Sequence, residues 1–188
     1  MMTFFFRAAS RLPAFFAALA LSCLSLQQAS AQRSDDVLVI GDSLLWWNSE
    51  EEASIGDVIS DETGRFVDNR AVPGFEFSEP RGEDVRSLYE NENWDWVVIN
   101  GGANDVSNDC GCGRCLHIID DLIAPSSRSG EYPTFVKRVL RSDAKVIVLG
   151  YFFVPPGGEF DGCEEEIGAL NSRLKTLANR TNNLWYAS

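Results

Sequence analysis

Histidine is almost absent from this chain: among 188 residues there is one, His117. Chemistry that needs an imidazole as general base has that single candidate. It sits in Leu116-His117-Ile118-Ile119, which reads as the start of a helix. Cations are scarce as well. Sixteen Lys and Arg stand against 28 Asp and Glu, a formal net charge of −12, which makes nucleic acid and anionic membrane surfaces poor partners. No apolar run reaches the ~20 residues that a bilayer span needs. The longest, Leu12 to Leu26, follows Arg7 and Arg11 and precedes the small residues Ala29-Ser30-Ala31. Residues 1–31 therefore read as a cleavable signal peptide with its cut near Ala31, and residues 32–188 as a secreted or periplasmic domain with no stable membrane span after cleavage. A retained anchor and lipid attachment at Cys23 are the alternatives. Internal repeats, charged tails and low-complexity linkers are also missing, and the chain beyond the leader is long enough for one domain with a real core but not for two.

Cysteine is sparse but clustered. Beyond Cys23 the chain holds Cys110, Cys112, Cys115 and Cys163, an even number in an exported chain, which favours disulfides. Four cysteines allow three connectivities. Cys110 and Cys112 make a poor pair because one intervening residue strains the bridge, whereas Cys163 can tie its loop to one member of the cluster. Zinc held by Cys-x-Cys-x-x-Cys and the distant fourth cysteine is the rival; export disfavours free thiolates, so no metal is expected.

The most telling stretch is Val37 to Leu45. Four β-branched or leucine residues between Asp36 and Gly41 read as a strand buried on both faces, and Gly41-Asp42-Ser43 comes directly after it. Ser43 then opens a helix, where unpaired N–H groups and the positive dipole end stabilise negative charge. An ordinary N-cap serine is the plainer reading. Two more segments end alike: Phe66 to Val72 runs into Pro73-Gly74, and Val97-Val98-Ile99-Asn100 into Gly101-Gly102-Ala103-Asn104-Asp105. In an open parallel sheet the carboxyl ends of all strands lie on one edge, where ligands bind. Ser43, Gly74 and Asn104 are thus predicted to meet, with the Gly74 amide and the Asn104 side chain as donors to an oxyanion facing Ser43. Asp42 and Asp105 are expected to brace these turns through backbone N–H groups. Further strands are predicted at 145–149 and 184–188. Helices are predicted at 55–59, 79–90, 132–140 and 164–179, with a short one near 117–123 inside a long loop over 106–130. The alternation is that of an α/β fold. Trp46, Trp47, Phe75 and Phe77 either line an acyl pocket or fill the core.

At these residues the chain resembles the SGNH or GDSL hydrolases, whose four blocks supply a serine, a glycine, an asparagine and a histidine. Three blocks match, over most of the chain from Asp36 onward. The resemblance implies a three-layer α/β/α fold with a flavodoxin-like parallel sheet of about five strands. It implies hydrolysis of esters or thioesters without a cofactor, with Ser43 as nucleophile and first oxyanion donor and with Gly74 and Asn104 as second and third donors. It points to a small-molecule or glycan ester as substrate. The fourth block, an Asp-x-x-His, is not among the 188 residues. His117 lies soon after Asn104 rather than near the C-terminus, where the family takes its base; a helix-start residue is the first reading and a substitute base the alternative. The sequence thus reads as truncated within its last strand, nearly inactive as it stands and active once extended. Two rivals use the same scaffold. One is a noncatalytic module that binds an acylated glycan or carboxylate. The other, a nucleotide binder, is weaker because no glycine-rich loop follows the first strand and Asp42 repels phosphate. Oligomeric state is not set by any of these features.

Overall fold

Short Val- and Ile-rich runs make the three central strands. The computed structural model describes residues 36–80, 82–90, 93–152, 156–158 and 160–188; the expected signal peptide, with its expected cut near Ala31, and Cys23 lie outside the described residues. Strand β1 is Val37–Ile40, β2 Val67–Asn69, β3 Trp96–Ile99, β4 Lys145–Leu149 and β5 Leu184–Ala187. All pairings are parallel, in the order β2-β1-β3-β4-β5. Ile40 of β1 lies opposite Ile99 of β3, so these two strands end level. The chain moves from β1 outward to β2, then returns to place β3 on the other side of β1. That reversal is the switch point at which an open sheet leaves a crevice between neighbouring carboxyl ends.

Helices cover both faces, in three layers. On one face Leu38, Ile40, Val97, Ile99, Val146 and Val148 pack into the main core. They meet α3 (Ala103–Cys110), α4 (Leu116–Leu122), α5 (Glu131–Leu140) and α6 (Glu164–Ala178), which bury Val106, Ile119, Phe135 and Leu170 among others. On the other face Val37, Val39 and Val98 pack with Leu45 of α1 (Ser43–Trp46) and with Ile55 and Ile59 of α2 (Ile55–Thr63). This layer is thinner towards β5, where Trp185 remains 46% exposed against Trp96. Helix α2 starts on a capping box: the Ser54 N–H donates to Asp57 Oδ2 at 2.8 Å and the Asp57 N–H to Ser54 Oγ at 3.2 Å. Gly64 ends it with φ +66°. Among the described residues no helix is long and apolar enough to cross a membrane.

Three expectations need correction. The second strand, expected over 66–72, is only Val67–Asn69, since the polar run Asp68-Asn69-Arg70 interrupts its apolar residues. The helix predicted over 79–90 is one 3₁₀ turn, Val85–Leu88. Pro80 and Gly82 break the periodicity before it, and the Asp84 carboxylate caps it by accepting the Ser87 N–H at 2.9 Å. Conversely, the loop predicted over 106–130 contains most of α3, whose Ser, Asn and Asp residues are poor helix formers. Burial of Ala103, Asn104, Asp105 and Val106 overrides propensity at its start. At its end Gly111, φ +72°, donates to the Ser107 carbonyl at 3.0 Å.

The cysteines fix this region. Cys110, at the end of α3, bonds Cys115 at the start of α4, and Cys112 bonds Cys163 at the start of α6. All four sulfurs are committed to these two bridges. The second bridge joins residues 51 apart in sequence, so it removes much freedom from the unfolded chain. Replacing Cys112 and Cys163 together by serine is expected to lower unfolding free energy by about 2–4 kcal/mol, read by urea denaturation against the oxidised parent.

Candidate active site

Gly41 sets the geometry at the end of β1. A Cβ there would lie 1.9 Å from Asn100 Oδ1, so only glycine lets the end of β3 approach this closely. Asp42 and Asn100 then exchange hydrogen bonds: the Asp42 N–H donates to Asn100 Oδ1 at 3.1 Å, and Asn100 Nδ2 donates to Asp42 Oδ1 at 2.7 Å. The same Oδ1 accepts the Leu44 N–H at 2.9 Å, making Asp42 the N-cap of α1. Ser43 is the first helical residue. It is half-buried and faces a cavity of about 290 Å³.

Two turns from neighbouring strands are laced to this one. The Gly41 carbonyl accepts the Val72 N–H at 2.9 Å, which carries the β1–β2 pairing beyond both strands. Val72-Pro73-Gly74-Phe75 closes with the Phe75 N–H donating to the Val72 carbonyl at 3.2 Å and Gly74 at φ +80°. Proline second and glycine third is the pattern of a type II turn, which needs φ > 0 at the third residue. Asn104, 6% exposed in the first turn of α3, donates from Nδ2 to the Phe75 carbonyl at 2.8 Å. The next residue makes the same link: Asp105 accepts the Phe77 N–H at 2.7 Å and the Ser78 N–H at 3.0 Å. One hydrogen bond therefore ties Asn104 to the residue after Gly74, and another ties the Gly74 turn to the strand end that precedes Ser43.

Of the sequence candidates, Ser43 and Trp47 line the cavity, and Gly74, Asn104 and His117 are not among its lining residues. His117 is exposed on α4. Phe77 is a core residue, wholly buried and stacked on Tyr132 at 3.6 Å. Trp47, 61% exposed, borders the cavity together with Leu44, Phe152, Phe160 and Ile167, so its wall is largely apolar. Tyr151 also lines it and was not singled out in the sequence, although it follows β4 on the same edge. Its hydroxyl donates to Asp42 Oδ2 and accepts the Ala103 N–H at 3.2 Å. Burial, then the charge of Asp42, pushes its pKa well above the ordinary phenol value, so it stays neutral.

Burial also raises Asp105, to about 6, although hydrogen bonds from the Phe77 and Ser78 amides pull the other way. A carboxyl whose folded pKa exceeds its unfolded value contributes stability below the unfolded value of 3.8 and loses it as pH rises through about 6. Asp105 should thus cost stability on the order of 3 kcal/mol between pH 3.8 and 7, at 1.36 kcal/mol per pKa unit. Urea unfolding at pH 4 and pH 7 should give a smaller fall for Asp105→Asn than for the parent, and equal falls would disprove the assignment.

Comparison with known proteins bears on the family and the fold. The model of the GDSL-like Lipase/Acylhydrolase family matches residues 39–187. No curated protein sequence is significantly similar. Among solved structures, a family two carbohydrate esterase from Cellvibrio japonicus superposes with TM-score 0.54 at 16% identity, over 82% of this chain and 51% of that one. A GDSL-like lipase from Bacteroides thetaiotaomicron gives 0.51 at 19% identity, over 81% of this chain and 67% of that one. A Bacteroides fragilis protein assigned as an acylhydrolase gives 0.51 at 21% identity, over 81% and 66%. The chain thus spans about half to two thirds of the length of these proteins, and likeness at such identity speaks to the fold.

Proposed function

This chain belongs to the GDSL-like lipase/acylhydrolase family, and on that footing we propose that it is a serine hydrolase cleaving ester or thioester bonds by acyl transfer to Ser43 and then to water. Ser43 Oγ attacks the carbonyl carbon. The tetrahedral oxyanion accepts hydrogen bonds from the Ser43 N–H, the Gly74 N–H and Asn104 Nδ2, each donor contributing about 3–4 kcal/mol to lowering the barrier. The amide of Asn104 carries two N–H groups, and the bond to the Phe75 carbonyl uses one. What carries this reading is the lacing of the Gly74 turn to Asn104 on one side and to the end of β1 on the other.

Apolar acyl groups suit a cavity walled by Leu44, Trp47, Phe152, Phe160 and Ile167. The carbohydrate esterase and the lipase among the similar structures bring acylated glycans and lipids forward as substrate classes. Export fits the two disulfides, which persist in oxidising compartments.

A serine hydroxyl without a base is almost fully protonated at neutral pH. His117 is exposed on α4 and is not among the residues lining the cavity at Ser43, so that lining supplies the hydroxyl but no imidazole. Residual catalysis of roughly 10³–10⁴ over water is what a serine hydrolase site retains when one member of its triad is missing. The position of His117 also favours a second reading, a noncatalytic module that holds an acylated glycan or carboxylate in the same pocket.

An alkyl fluorophosphonate separates the two. Slow labelling of Ser43, faster in added imidazole and abolished in Ser43→Ala, is the result expected of a hydrolase. Asn104→Ala should slow labelling about 10²–10³-fold. Absence of any labelling, with acylated sugar still bound by calorimetry, would leave the binding module.

A further inference from the structure

We propose that Tyr151 is a positioning residue for Ser43, its hydroxyl clamping the turn after β1 to the first residue of α3. This inference rests on the hydrolase reading above. The phenol makes one bond of each kind open to it, donating to Asp42 Oδ2 and accepting the Ala103 N–H at 3.2 Å. Both partners are out of water, Asp42 being 2% and Ala103 0% exposed, so removing the hydroxyl strands an acceptor and a donor at once.

The base of the ring is fixed independently. Asn171 of α6 accepts the Tyr151 N–H at 2.9 Å and donates to the Tyr151 carbonyl at 2.8 Å. At the preceding residue, Gly150, an added Cβ would lie 2.2 Å from Tyr186 Oη and 2.6 Å from Asn171 Oδ1. The backbone after β4 is thus pressed against β5 and α6, and the hydroxyl projects from a rigid support.

The consequence for Ser43 comes from the shortness of α1. Four residues do not hold a helix by themselves, so the direction of the Ser43 N–H depends on the Asp42 carboxylate that caps Leu44. With Tyr151 on Oδ2 and Asn100 and Leu44 on Oδ1, that carboxylate cannot turn. The Ala103 N–H is the first amide of the helix whose next residue is Asn104. A single hydroxyl therefore fixes both the nucleophile's turn and the turn carrying the amide donor. Neutral and hydrogen-bonded, Tyr151 takes no proton from Ser43.

The test is Tyr151→Phe, which keeps the ring and its packing. In fluorophosphonate labelling with imidazole, well below the melting temperature, the maximal inactivation rate should fall about 10–100-fold, the scale of a small misplacement, with the half-saturating probe concentration unchanged. Asn171→Ala keeps the hydroxyl but loosens its support. It should lower Tm with a smaller loss of rate. Two kinetic outcomes overturn the proposal: weaker probe binding at unchanged maximal rate, which makes the ring a cavity wall only, or equal rate losses in both variants at matched Tm. A second measurement needs no turnover. The near-ultraviolet difference spectrum between parent and Tyr151→Phe should be red-shifted, as for a phenol donating to a carboxylate, and the shift should vanish in an Asp42→Asn background. An unshifted spectrum removes the clamp. A parent in which Ser43 takes up no probe removes the hydrolase reading instead, and the spectrum still decides whether the clamp exists.

Discussion

Asn100 and Asp42 exchange hydrogen bonds across the seam where β1 and β3 lie side by side, one pairing through its backbone amide and both through side chains. The seam is the switch point of the sheet, so two strand ends point the same way with no helix between them. Left alone, they would open into a wet crevice. The side chain of Asn100 takes the space that a Cβ on Gly41 would need, and in doing so it holds the Asp42 amide and carboxylate at fixed positions. Ser43 is placed by what precedes it rather than by its own contacts.

The same device recurs one strand out. Asp105 gives both carboxylate oxygens to the amides of Phe77 and Ser78, while Asn104 reaches the Phe75 carbonyl. Side chains from the start of α3 thus replace the backbone ladder that β2 and β3, separated by β1, cannot form with each other. The adjoining segment is pinned from behind, where Tyr132 donates to the Gly101 carbonyl at 2.6 Å and stacks on Phe77. Gly101 and Gly102 sit at φ +151° and +112° and meet Phe77 and Leu170 at 3.1 and 2.8 Å from a built Cβ. Close packing and a left-handed backbone coincide at two successive residues, which excludes any side chain there.

The ends of β1 and β3 were legible from sequence because each is an apolar run stopped by residues with a physical reason to stop it, Gly41 in one case and Gly101-Gly102 in the other, with Ser43 and Asn104 close behind. Strand β2 stops earlier, at Asn69, and Pro73-Gly74 marks the turn that follows it. The residues that the sequence hid are those whose role is set by distant partners. Tyr151 looks like one more aromatic after a strand until α6 and the turn after β1 close around it. Asn100 reads as the polar end of β3, and nothing local says that it faces Asp42. Helix α3 was hidden for a different reason: its composition favours a loop, and its order comes from burial of the first turn and from the bridge at Cys110. His117 was legible as a helix residue because its neighbours carry helical spacing.

Where the buried polar groups are satisfied distinguishes the site from its surroundings. Among the described residues the orphaned buried side-chain atoms include Glu76 Oε2, Trp94 Nε1 and Glu166 Oε2, none of which borders the cavity. Asp42, Asn100, Asn104, Asp105 and Tyr151 each have a hydrogen-bond partner in the structure. A half-satisfied network beside Ser43 would pull water into an otherwise apolar cavity and let the turn relax towards it. Completing the network removes that incentive, so the turn after β1 is held in place by satisfied bonds rather than by strain. Burial of Asp105 opposes this economy, since its charge is disfavoured there even with two amides on it. The fold tolerates that penalty at the position where one carboxylate can join the segment after Gly74 to the helix that carries Asn104.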